Sequence, residues 1–229
     1  MPEAANPIAD SASLREHMVE RQVRTWEVLD PKVLDVMRVL PRDHFVPARY
    51  RGLAYADTHI PLGTFDGRRE VMMQPKVEGR LLQALGIGKD DSILEIGTGS
   101  GWLTALLAHL GGRVHSLDIR EELTAAARDA LEGLNIRNVR LETRDAATLD
   151  GIDDAYDCIA VTGSMPVLHD AFRRTLKVGG RLFAIVGQNP IMEAQLHTRV
   201  SEDDWAVESL FDTDIPALVN AWNPERFDF

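Results

Sequence analysis

Glu95-Ile-Gly97-Thr-Gly99-Ser-Gly101-Trp102 sets three glycines at alternate positions between an apolar stretch and a helical one. Glycines there let the backbone turn sharply and bring a ligand to a helix N-terminus with no β-carbon in the way. The spacing G-x-G-x-G is not the dinucleotide fingerprint G-x-G-x-x-G. The loop also lacks the lysine of a phosphate-binding loop, so nucleoside triphosphate hydrolysis has little support. Asp118 closes the next strand, in His115-Ser-Leu-Asp118-Ile119. A carboxylate in that place accepts from both ribose hydroxyls, a geometry that serves NAD or S-adenosylmethionine equally. Asp145 follows a third strand in Thr143-Arg-Asp-Ala146. The set points to an adenosine-type ligand. A hydride-transfer enzyme usually needs a second domain, for which too little chain remains.

Other reactive side chains carry less. None of the seven histidines pairs with Cys, Asp or Glu at a metal-ligand spacing, so no metal site is expected. Cys158 is the only cysteine; it lies in an apolar strand and reads as core, and no intramolecular disulfide can form. Trp102 reads equally as a neighbour of the cofactor or as packing early in its helix. An amine or hydroxyl acceptor would need a base, with His44 and His59 the nearest candidates.

The elements that must position these groups follow from the sequence pattern. Apolar positions Leu14, Met18, Val19, Val23 and Trp26 keep helical spacing, and Asp30-Pro31 opens a second helix with Val33, Leu34, Val36, Met37 and Leu40. Ala54 to Met73 is glycine-dotted and reads as irregular. From Pro75 the rhythm changes. Helices are expected over Lys76–Leu85, Trp102–Leu110, Glu121–Leu134 and Val167–Leu176. Strands are expected over Ser92–Ile96, Arg113–Leu117, Val139–Glu142, Cys158–Thr162 and Arg181–Val186, with further strands, antiparallel in part, beyond Gln188. Strands alternating with helices mean an α/β fold: a doubly wound, mainly parallel sheet covered on both faces.

The bulk numbers agree. A content of 45% hydrophobic and 27% charged residues is ordinary for a globular chain, and no apolar run approaches the ~18 residues of a membrane span. The start, MPEAANPIADSAS, lacks the features of a secretory signal and reads as a frayed lead-in. A cytoplasmic location without membrane association is expected. The net charge of −11 repels phosphate backbones, and acids interrupt the basic stretches at Arg15–Arg24 and Arg38–Arg51, so no nucleic-acid partner is expected.

Glu95 two residues before the first glycine, with Asp118, Asp145 and Lys177-Val-Gly-Gly-Arg-Leu182 in register, resembles class I S-adenosylmethionine-dependent methyltransferases. Met37-Arg-Val-Leu-Pro-Arg-Asp-His-Phe-Val-Pro47, Ala54-Tyr-Ala-Asp57, Ile60-Pro-Leu-Gly63 and Gln74-Pro75 resemble the protein-L-isoaspartate O-methyltransferase family, and the resemblance runs from Arg21 to Val186. It implies a Rossmann-like methyltransferase with a seven-stranded sheet and an N-terminal helical extension. The expected organisation is a helical and loop region on the substrate side over 1–74, a cofactor-binding α/β core over 75–190, and C-terminal strands completing the sheet over 191–229. The implied cofactor is S-adenosyl-L-methionine, with Glu95, Gly97, Thr98, Gly99, Ser100, Gly101, Asp118, Ile119, Asp145 and Ala146 at its site. The implied partner is a protein or peptide bearing a damaged aspartyl carboxylate; oligomeric state is not readable.

The chain departs from that family in the acceptor region. The family segment T-I-S-Q-P reads here Val71-Met-Met-Gln-Pro75, so Val71 and Met73 replace two hydroxyl residues, and Thr64 to Glu70 is charged where the family is neutral and glycine-rich. Asp214-Ile-Pro-Ala-Leu-Val219 replaces a family strand resembling V-R-F-V-P-L and lacks its arginine. Met73, Thr162, Ser164 and His59 are the acceptor-pocket candidates, with Thr162 and Ser164 offering substitute hydroxyls. Three readings stay open: isoaspartyl methylation, methylation of another protein group or small molecule, and cofactor binding without transfer.

Overall fold

The computed structural model describes residues 10–147, 149, 152 and 155–223, so most of the expected lead-in lies outside the described residues. α1 (Ser11–Met18) is capped by Asp10 and runs on through a π turn at Val19–Val23 and a tight turn at Arg24–Trp26. α2 (Pro31–Val39) starts where proline removes a surplus N–H, and the Asp30 carboxylate accepts from the Lys32 N–H at 2.9 Å.

The stretch expected to be irregular is instead a hairpin, β1 (Ile60–Phe65) paired antiparallel with β2 (Arg68–Met72). Its turn is Asp66-Gly67, with φ of 48° and 77°. Two-residue hairpins with both central residues at positive φ favour Asp-Gly, because that backbone matches the strand twist.

α3 (Pro75–Leu85), β3 (Ser92–Ile96), α4 (Trp102–Leu110), β4 (Arg113–Asp118), α5 (Glu121–Gly133) and β5 (Val139–Thr143) keep the expected alternation. β6 (Tyr156–Met165) is longer than expected. The helix expected over Val167–Leu176 shrinks to α6 (Asp170–Arg174), and β7 (Leu176–Gln188) begins at Leu176 rather than Arg181. Leu176 is fully buried and pairs with Tyr156, so tertiary packing overrides the last helical turn. β8 (Ile191–Arg199) and β9 (Trp205–Thr213) pair antiparallel, in line with expectation.

The seven strands lie in the order β5-β4-β3-β6-β7-β8-β9. The first five are parallel. One core buries Met37, Leu81, Ile93, Trp102 and Phe183; the other face buries Leu94, Ile159, Phe172 and Leu182. Residues 93 and 94 face opposite cores, which is why β3 is buried throughout. The chain steps outward from β3 to β5 and returns to β6, so the direction of winding reverses between β3 and β6. In open α/β sheets the crevice at the carboxyl ends of such strands binds ligands.

Candidate active site

A cavity opens at that reversal point. It is lined by the loop Gly97–Ser100 after β3, Asp118 at the end of β4 and Ile119 after it, Asp145–Ala147 after β5 and Thr162 of β6. β2 and the segment 215–219 cover it.

The glycine loop is braced from below. Thr162 Oγ1 donates to the carbonyls of Ile96 and Gly97, at 2.9 and 2.8 Å. Gly97 sits at φ 93°, and a β-carbon there would lie 2.1 Å from that hydroxyl. Only glycine fits both constraints. Glu95 lies under the loop and does not line the cavity: fully buried, it accepts from Ser116 Oγ at 2.6 Å and from Thr104 Oγ1 at 2.5 Å. Burial with no cation beside it pushes its carboxyl up to about 8. Gly101 also stands back from the cavity, at the start of α4.

Asp118 accepts from the Gly99 N–H at 2.8 Å and from the Arg120 N–H at 2.9 Å. Burial raises its pKa, while those backbone donors and the Arg120 charge oppose the shift. One carboxylate thus ties the glycine loop to the turn after β4 and keeps lone pairs free for a diol. Asp145 accepts from the Ala147 N–H at 3.0 Å and from Asn220 Nδ2 at 2.7 Å. The expected cofactor residues Gly97, Thr98, Gly99, Ser100, Asp118, Ile119, Asp145 and Ala146 therefore share one cavity.

A second cleft lies beyond the hairpin, lined by His59, Pro61, Arg69, Ser164, Met192 and Asp214 among others. Val71 and the segment Ile215–Ala217 line both spaces, which adjoin along that edge. Met73 and Thr162 face the first cavity, whereas His59 and Ser164 face the second. The expected substitute hydroxyls are committed elsewhere: Thr162 to the loop carbonyls, and Ser164 Oγ to the Ile215 carbonyl at 3.2 Å. Burial holds His59 below the usual imidazole range. His44 lines neither space; its Nε2 contacts the Ala130 carbonyl of α5 at 3.0 Å.

The segment after β9 reaches the site by pairing beside β6. The Ser164 N–H donates to the Pro216 carbonyl at 3.1 Å and the Leu218 N–H to the Ser164 carbonyl at 2.9 Å. Leu218 fills the space a side chain at Gly163 would take.

Two residues to which the sequence reading assigned no role organise this region. Arg42, fully buried, pairs with Glu78 of α3 and donates to the carbonyls of Ala54, at 2.9 Å, and Met73, at 2.6 Å. The Trp102 Nε1–H donates to the same Glu78 carboxylate at 2.9 Å, joining the start of α4 to the pair. Burial pushes Glu78 up to about 7 while Arg42 opposes the shift. A signal was present: Glu78, Leu81, Leu82 and Leu85 keep helical spacing, placing an acid on the apolar face. Trp102 is buried against Phe45 and does not line the cavity, which selects the packing reading. Cys158 is buried too, its thiol pushed up to about 12, in line with a core residue.

The sheet order, the winding reversal and the glycine loop over β3 define a Rossmann-like methyltransferase fold. Two solved structures share it. A protein-L-isoaspartate O-methyltransferase superposes with a TM-score of 0.76 at 21% identity, covering 89% of this chain and 65% of that one. A Plasmodium falciparum protein described as a putative protein-L-isoaspartate O-methyltransferase, in complex with S-adenosyl-L-homocysteine, gives 0.74 at 17%, covering 90% and 98%. In sequence, the chain is 34% identical to protein-L-isoaspartate O-methyltransferase 1 of Rhodopseudomonas palustris (strain HaA2), over 93% of this chain and 87% of the relative. It is 37% identical to protein-L-isoaspartate O-methyltransferase 2 of Pelobacter propionicus, over 90% and 91%. The family model for protein-L-isoaspartate(D-aspartate) O-methyltransferase matches residues 13–214, and the chain belongs to that family. Among the described residues no helix is long and apolar enough to cross a membrane, and no cluster of metal-ligating side chains is found.

Proposed function

We propose that the chain methylates the free carboxylate of isoaspartyl residues in proteins or peptides, with S-adenosyl-L-methionine held in the first cavity and the acceptor in the second. The observation that carries this reading is adjacency: Val71 and Ile215–Ala217 line both spaces, so the two adjoin along that edge and a group at the border of one can meet a group at the border of the other.

The residues present fit the cofactor. Gly97–Ser100 offer a loop with positive φ at Gly97 and Gly99, Asp118 offers acceptors for a diol, and Ala146 with Leu103 and Leu123 gives apolar walls. When bound, S-adenosylmethionine supplies a methyl group made electrophilic by its positively charged sulfur. The work left to the chain is alignment. A carboxylate with a pKa near 4 is ionised at neutral pH, so no side chain has to take a proton. His59, held below its usual range and half-buried, is suited to packing in that cleft rather than to accepting a proton. Holding the two groups in line supplies on the order of 7 kcal/mol or more of barrier reduction.

The test is transfer of labelled methyl to an isoaspartyl peptide beside its normal aspartyl counterpart. Label on the isoaspartyl peptide alone is expected. Label on neither, with cofactor binding shown in the same preparation, would overturn the reading and leave another acceptor or a non-transferring role.

A further inference from the structure

Resting on that reading, we infer that Arg69 is the residue that recognises the acceptor's carboxylate, a task for which the C-terminal segment 214–219 has no cationic side chain. Strand alternation splits β2 into two faces. Arg69 lines only the acceptor cleft, Glu70 and Met72 line only the cofactor cavity, and Val71 lies at the edge of both. Glu70 lies 3.8 Å from Arg120, on the cofactor side. Among the described residues Arg69 is exposed without an ion-pair partner and is the only lysine or arginine lining the cleft.

The charges around it give that position its meaning. Asp214 lines the same cleft, His59 is held toward its neutral form, and the chain carries a net charge of −11. Arg69 and Asp214 are the charged side chains that line the cleft, so Arg69 is the cation there to receive an ionised acceptor. A guanidinium offers two parallel N–H donors that match a carboxylate. Methyl transfer removes the acceptor's charge, so the same contact holds the reactant and lets the neutral ester go.

The experiment is calorimetric binding of two peptides in the presence of S-adenosylhomocysteine: one with isoaspartate, one with the neutral isoasparaginyl amide in its place. Native protein is expected to prefer the carboxylate at least tenfold. Arg69→Ala should bind both equally, with unchanged cofactor affinity, and Arg69→Lys should recover part of the preference. Arg68→Ala makes the same change in net charge on a residue outside the cleft and should leave the preference intact. Retained preference in Arg69→Ala, or equal loss in Arg68→Ala, would overturn the role of Arg69 while leaving isoaspartyl methylation standing. Failure of native protein to bind either peptide would overturn both.

Discussion

The ground beneath the glycine loop and the hairpin above it are held in different ways. Beneath the loop, Glu95, Thr98, Thr104 and Ser116 form a buried set of short hydrogen bonds, and Thr162 pins the loop carbonyls. Above it, the outer end of the hairpin is tied to the cofactor side through one residue. Arg120 pairs with Asp66 and Glu70 and lies 5.4 Å from the Phe65 ring. The acids in those pairs are Asp66, largely exposed, and Glu70, half-buried. Buried hydrogen-bonded groups resist displacement, while ion pairs at the surface contribute little each. The side proposed to align the cofactor is thus held by many buried bonds, and the hairpin proposed to meet the peptide by fewer and more exposed ones.

Three changes would break or sharpen that contrast. The largest effect is expected from the pH dependence of stability. Glu95 titrates near 4.5 when unfolded and about 8 when folded. Between those values the unfolded chain has released a proton that the native one still holds, so stability falls as pH rises and levels off above about 8. Glu78, raised to about 7, adds to the slope with the same sign. Glu95→Gln should remove its share, on the order of 3 kcal/mol between pH 5 and 8. Denaturant titrations at several pH values measure this, and equal slopes for the two proteins would show that the buried set is not the firmly held base described.

A smaller effect is expected on the cofactor itself. Asp118→Ala should weaken S-adenosylmethionine by roughly tenfold or more, since hydrogen bonds to a charged acceptor contribute about 1.5–3 kcal/mol. Unchanged affinity by calorimetry would remove Asp118 from the site. The smallest belongs to the hairpin: Arg120→Ala should cost only about 1 kcal/mol or less in stability. It should nonetheless speed cofactor release severalfold in stopped-flow displacement, because Leu62 of β1 and Glu70–Met72 of β2 overlie the cavity. A large loss of stability with unchanged release would reverse the comparison.

The same contrast governs what the sequence disclosed. The alternating strands and helices, the glycine loop and Asp118 are local signals, because each depends on residues within one βα unit. Glu95 was assigned to the cofactor from its place in a motif, yet in a strand buried on both faces no alternation tells which side chain points toward a ligand. The Asp66-Gly67 turn was legible, and charged residues around it masked the hairpin. The acceptor cleft was legible only in part: His59, Val71, Ser164 and the segment from Asp214 were singled out, and Arg69 was not. It is made by β1 and β2 meeting 214–217, and no spacing encodes an encounter between segments so far apart in the chain. Thr162 and Ser164 show the same limit: their hydroxyls were present, and only the fold assigns them to backbone carbonyls.

The segment that pairs beside β6 also sets an order of assembly. Pro216 to Leu218 are synthesised after every strand of the sheet, so a chain leaving the ribosome can complete its seven strands with the crevice still open on one side. Leu218 docking over Gly163 brings Pro216 and Ala217 to the border that the two spaces share. Until then the molecule is folded without yet having the edge along which the two spaces meet.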